Sequence, residues 1–155
     1  MSVPTPYQGH FDGKRHLFAV RVYFEDTDFS GVVYHARYLH FMERARSDML
    51  ACVGIDQRSV HEEGAGAYAV TEMNIKYRRP AKFDDALLVV STVEAVRAAS
   101  CDIHQAVMRG DDILTEARVT AVKARPFAGR LPTTREFERW RERVPIRSSR
   151  TCSSH

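Results

Sequence analysis

Between positions 16 and 25 apolar and polar residues alternate, with Phe18, Val20, Val22 and Phe24 on one side and Ala19, Arg21, Tyr23 and Glu25 on the other. Strict alternation of this kind predicts a half-buried strand. The rhythm breaks at 26–31 and resumes with helical spacing. Leu39, Met42, Ala45, Met49, Leu50 and Val53 then form a broad apolar stripe, which predicts a helix over 33–53. His40, Glu43, Arg44, Ser47 and Asp48 fall on its wetter side, and Gly54 is placed to cap its C-terminus. After a small-residue loop at 62–66, strands are predicted over 67–78, 86–96, 100–108 and 113–123, the last two joined by a turn at Gly110-Asp111-Asp112. Pro80 closes the first of these four, because proline cannot donate to a central ladder.

One strand, one long helix and four more strands give an α+β chain. Its simplest packing is an antiparallel sheet wrapped around the helix, with hairpin connections. Such a sheet leaves two open edges, which favours dimerisation. The expected organisation is an N-terminal arm at 1–15, a core domain at 16–127 and a basic C-terminal helix and tail at 128–155. Thr133 followed by Glu136 reads as a capping box for that helix. Residues 145–155 have no apolar period and read as a disordered, dispensable tail.

Composition narrows the function classes. The chain has 155 residues, 44% of them hydrophobic, and no apolar run approaching a membrane span. Its start lacks the apolar core of a signal peptide, so a cytoplasmic location is expected. Three cysteines without paired spacing read as reduced thiols. The net charge of +3 is concentrated in 125–155, where eight arginines face three glutamates; the rest of the chain carries about −2. Nucleic-acid binding is therefore not expected, although the basic tail suits weak association with an anionic membrane surface or envelope proteins.

The chemistry concentrates at Glu25-Asp26-Thr27-Asp28-Phe29-Ser30-Gly31-Val32-Val33-Tyr34-His35, where the first strand meets the helix. A carboxylate just ahead of a helix start stands where free N–H groups can hold an electrophile. Asp28 has a plain alternative as a turn residue or N-cap. His35 is either a positioning group or a structural histidine. Glu43 is either paired with a nearby arginine or a second carboxylate for catalysis. His35 and His40 do not share a helix face, so no metal site is expected.

Tyr23-Phe24-Glu25-Asp26-Thr27-Asp28, Gly31-Val32-Val33-Tyr34-His35, Glu43-Arg44-Ala45-Arg46 and Tyr77-Arg78-Arg79-Pro80-Ala81 together resemble the signature of hotdog-fold acyl-CoA thioesterases. Among these the chain is most similar to the Tol-Pal-associated group, relatives of 4-hydroxybenzoyl-CoA thioesterase, over about residues 18–127. The resemblance implies a homodimer or homotetramer that hydrolyses acyl-CoA without metal or cofactor. Carried over by position, it gives Asp28 the catalytic carboxylate and Tyr34 a backbone N–H for the thioester oxygen. His35 matches the group's histidine. Gly31, Val33, Arg97 and Ser100 are given substrate and CoA contacts. Phe24 stands where that group often has tyrosine. The alternatives are an acyl carrier protein thioesterase and a non-catalytic acyl-thioester-binding or envelope-associated module.

Overall fold

The computed structural model describes residues 2–55, 58, 67–97 and 100–124. The expected C-terminal helix and tail lie outside them. Six strands are present: β1 (His10–Asp12), β2 (Arg15–Arg21), β3 (Ala67–Tyr77), β4 (Ala86–Val96), β5 (Ser100–Arg109) and β6 (Asp112–Ala124). They form one antiparallel sheet in the order β1-β2-β4-β5-β6-β3, which leaves β1 and β3 as its edges. The long helix, α1 (Arg37–Cys52), lies against β1, β2, β4 and β5. This is the α+β hotdog arrangement expected from the sequence.

The alternation that marks each strand sorts its side chains between two faces. Phe18, Leu87, Val89, Val107, Ala117 and Val119 point into the core beneath α1. Gln105 is buried among them and ties helix to sheet. Its amide donates to the Met42 carbonyl at 3.0 Å and to Ser91 Oγ at 2.9 Å, and its oxygen accepts from Arg46 at 2.8 Å. A buried amide with both ends bonded fixes the helix against one place on the sheet.

Three features differ from the sequence expectation. The stretch read as a loose arm supplies β1, which pairs with β2 from His10↔Leu17 to Asp12↔Arg15. The helix starts at Arg37 rather than 33, because Val32 and Val33 are used in bridges to Lys82 and Thr27. Its buried stripe is accordingly Tyr38, Phe41, Met42, Ala45 and Met49, while Leu39 and Val53 face outward. The C-terminus is capped as expected. Gly54 has φ +84°, its N–H bonds the Ala51 carbonyl at 3.0 Å, and the Ile55 N–H bonds that of Leu50 at 3.0 Å. These paired bonds close the helix in a Schellman motif.

At this same end, His16 Nε2 meets Asp48 Oδ2 at 2.6 Å, and the Gly9 N–H reaches that oxygen at 3.0 Å. His16 is wholly buried, and burial holds its pKa below the ordinary histidine value. Cys101 is a free thiol, and Cys52 Sγ lies 3.5 Å from the Gly9 carbonyl oxygen. No described helix is long and apolar enough to cross a membrane.

Candidate active site

The strand-to-helix junction is a small, self-bonded loop. Thr27 and Val33 face each other in an antiparallel bridge, the Asp28 N–H bonds the Val32 carbonyl at 2.9 Å, and the Gly31 N–H bonds the Asp28 carbonyl at 3.1 Å. Gly31 has φ +78°, a conformation in which a side chain is strained. The loop is anchored to the body at two points. The Val33 N–H bonds the Ala81 carbonyl at 2.8 Å, and the Ala81 N–H bonds the buried Tyr38 phenol at 2.9 Å.

Asp26 and Asp28 have opposite environments. Asp26 is buried: its carboxylate accepts the Tyr23 N–H at 2.8 Å and lies 3.0 Å from Arg37 Nε. It clamps the segment that follows β2 to the start of α1. Asp28 is exposed and is held in a turn by Ser30, whose hydroxyl and N–H both bond its Oδ1, at 2.5 and 2.8 Å. The Ser30 hydroxyl, and then its N–H, hold the Asp28 carboxyl below the usual carboxylate range. Asp28 is thus an anion at neutral pH.

The helix start supplies the complementary donors. The Tyr34 N–H, expected to be free, is donated to the Asp26 carbonyl at 2.9 Å. The next two N–H groups, of His35 and Ala36, have no acceptor among the described residues. The N–H groups left open at the helix start therefore begin one residue further along the chain than expected. The reason is the same bridge that delays the helix, since it extends the paired segment through Tyr34. The His35 ring is exposed and leans on Tyr34, with ring centroids 4.4 Å apart.

Beside this start lies an open cleft of about 280 Å³, lined by Val33, His35, Tyr38, Tyr77, Arg78, Arg79 and Pro80. Asp28 stands outside that lining. Val33, expected to touch substrate, is buried but forms part of the cleft wall. Glu43 is exposed on the outer side of α1 and acts on Arg46 through its charge. The signal for Tyr77 in the sequence was only its place in the Tyr-Arg-Arg-Pro-Ala run.

Arg97 and Ser100 are not part of this corner within one chain. They form the β4–β5 turn, with the Arg97 N–H bonding the Ser100 carbonyl at 2.8 Å, while β4 begins beside the junction, where the Val22 N–H bonds the Asp85 carbonyl at 3.0 Å. The intervening length of β4 separates them by roughly 35 Å. The Arg97 guanidinium makes two bonds of 2.7 Å to Asp102.

Comparison with known proteins identifies the group to which this fold belongs. The model of the Thioesterase superfamily matches residues 30–116, and the chain belongs to that family. The acyl-CoA thioesterase YbgC of Haemophilus influenzae is 46% identical over 102 residues, 66% of this chain and 75% of the relative. The crystal structure of a probable thioesterase from Bartonella henselae superposes with a TM-score of 0.70 at 35% identity, covering 76% of this chain and 99% of that one. A 4-hydroxybenzoyl-CoA thioesterase mutant crystallised with 4-hydroxybenzoyl-CoA shares the fold, with a TM-score of 0.68 at 21% identity over 77% of this chain and 90% of that one.

Proposed function

We propose that this chain hydrolyses acyl-CoA thioesters to a free acid and CoA at the junction between β2 and α1. The observation that carries the proposal is an exposed, ionised carboxylate, Asp28, next to a helix start whose His35 and Ala36 N–H groups lack acceptors among the described residues. A thioester carbonyl is electrophilic and its thiolate leaves with little need of a proton. The reaction therefore asks for one carboxylate and a place for the oxyanion. Asp28 acts as base on water or as direct nucleophile, and the two N–H groups receive the charge that develops on oxygen. Removing one such donor typically costs about 3 kcal/mol in the transition state. The His35 ring, exposed over the cleft, orients water or substrate. A binding module would have no chemical use for a charged carboxylate at this point.

The working unit is a homodimer or a larger homo-oligomer. Support comes from β3, an eleven-residue strand with an open edge, and from the exposed Phe29 at the tip of the Asp28 loop. Long open edges of this kind are ordinarily covered. A second copy also offers the route by which Arg97 and Ser100 reach a CoA bound near Asp28. CoA thioesters are handled inside the cell, so the cytoplasm is the proposed site of action, and the charge of the arginine-rich tail suits weak association with an anionic surface. The test is thiol release from a panel of acyl-CoAs without added metal. Turnover of at least one acyl-CoA is expected, and binding without turnover across the panel would contradict the proposal. Hybrids of Asp28→Asn chains with chains altered at Arg97 should regain part of the activity, and failure of verified hybrids would rule out a shared site.

A further inference from the structure

We infer that Tyr77 is a positioning residue for hydrolysis, its hydroxyl setting the peptide between His35 and Ala36 so that the Ala36 N–H points at the substrate oxygen. The inference rests on the oxyanion role proposed above. Each of the two acceptor-less N–H groups belongs to a peptide whose carbonyl is held from the other side. The Tyr34 carbonyl accepts the Arg37 N–H at 2.8 Å, an ordinary first-turn bond. The His35 carbonyl has no such partner, because the Leu39 N–H that would serve it bonds the Ala36 carbonyl instead, at 3.2 Å. Tyr77 fills this vacancy in the helix ladder, donating its hydroxyl to the His35 carbonyl at 2.9 Å.

The side chain is well placed to hold that bond. Tyr77 ends β3, paired with Thr115, and the next two N–H groups of the chain, Arg78 and Arg79, both bond the Leu114 carbonyl, at 2.8 and 3.1 Å. Its ring meets that of Tyr38 edge-on at 5.6 Å and that of His35 at 6.2 Å. A group held on a strand end and braced by two rings loses little further freedom in orienting a peptide. Bonding the carbonyl end of a peptide also polarises its N–H end, which strengthens that donor toward a developing anion. Burial raises the Tyr77 pKa, which keeps the phenol a donor through the working pH range. Because β3 is also the open sheet edge, covering that edge would steady the helix start through this contact.

The test is Tyr77→Phe, which keeps the ring and removes one hydroxyl from a partly exposed position. The expected result is a kcat lower by about tenfold, the order associated with losing one orienting hydrogen bond. KM, inhibition by product CoA and the unfolding midpoint should remain at wild-type values. A CoA analogue carrying a trifluoromethyl ketone in place of the thioester, which mimics the oxyanion, should bind more weakly by the same factor as kcat falls. Asp28→Asn is measured beside it. Wild-type kcat in Tyr77→Phe would overturn the inference. If Asp28→Asn is inactive in that case, the proposed chemistry survives; if it is active, both fall together. A fall in kcat with a matching rise in KM and a lowered midpoint would also overturn it, since that pattern marks a merely structural role.

Discussion

The two ends of α1 use the same residue types to opposite effect. At the C-terminal end, the His16–Asp48 pair is almost sealed from water, and Asp48 Oδ2 serves both His16 and the Gly9 N–H. At the N-terminal end, Asp28 and His35 are exposed, and two backbone N–H groups have no acceptor among the described residues. A histidine beside an aspartate is therefore no guide to function by itself. What separates the two ends is whether polar groups are already committed. Commitment yields stability, whereas groups left open at a helix start are available for a substrate.

The glycines at each end offer the first way to sharpen this contrast. At Gly9 an added Cβ would lie 2.4 Å from the Leu17 carbonyl oxygen and 2.6 Å from Asp48 Oδ2. Gly9→Ala should therefore cost about 2–3 kcal/mol of stability by overpacking. At Gly31 a Cβ meets nothing within 4 Å, but φ is +78°. Gly31→Ala should cost about 1 kcal/mol from backbone strain alone, with a fall in kcat as the Asp28 loop shifts. Urea unfolding of both variants, with thiol-release rates, checks the pair. Equal losses of stability would show that space at Gly9 does not matter.

Asp26 is the committed carboxylate within the open end, so Asp26→Ala should damage both properties. It leaves the Tyr23 N–H and the Arg37 guanidinium without their acceptor, at a cost of about 2 kcal/mol, and releases the loop that carries Asp28. Unfolding and kcat should fall together, unlike in any variant confined to Asp28. A smaller effect is expected from Ser30→Ala. The Ser30 hydroxyl is the main cause of the depressed Asp28 pKa, and removing it raises that pKa. The base form is then lost at a higher pH, so the acid limb of kcat/KM moves toward neutrality, while the rate at pH 7 hardly changes. A limb that stays put would show that another group controls it.

Most of the fold was legible because strands and helices with one buried face print their period on the sequence. β3 to β6 and the Gly54 cap emerged within a residue or two of expectation. β1 was not legible, since three residues carry no usable alternation. The start of α1 was misread because Val32 and Val33 are as apolar as core helix residues, yet serve in bridges to Lys82 and Thr27. The same misreading left the Tyr34 N–H free, whereas it bonds the Asp26 carbonyl. Local pattern also gave no sign of His16–Asp48, a contact across 32 positions. Asp28 stood out only through its company: the turn, the glycine and the helix that follow it.

The most direct test measures Asp28→Asn and Asp48→Ala side by side, each for kcat on the same acyl-CoA and for unfolding free energy. Asp28→Asn should lower kcat by ~10²–10⁴-fold, the usual loss on removing a catalytic base, with stability changed by less than about 0.5 kcal/mol. Asp48→Ala should leave kcat per folded molecule near wild type. Its cost is about 2–4 kcal/mol of stability, because His16 and the Gly9 N–H lose their acceptor. Near wild-type turnover in Asp28→Asn, with hydrolysis otherwise demonstrated, would contradict the assignment of the chemistry to the open end of α1.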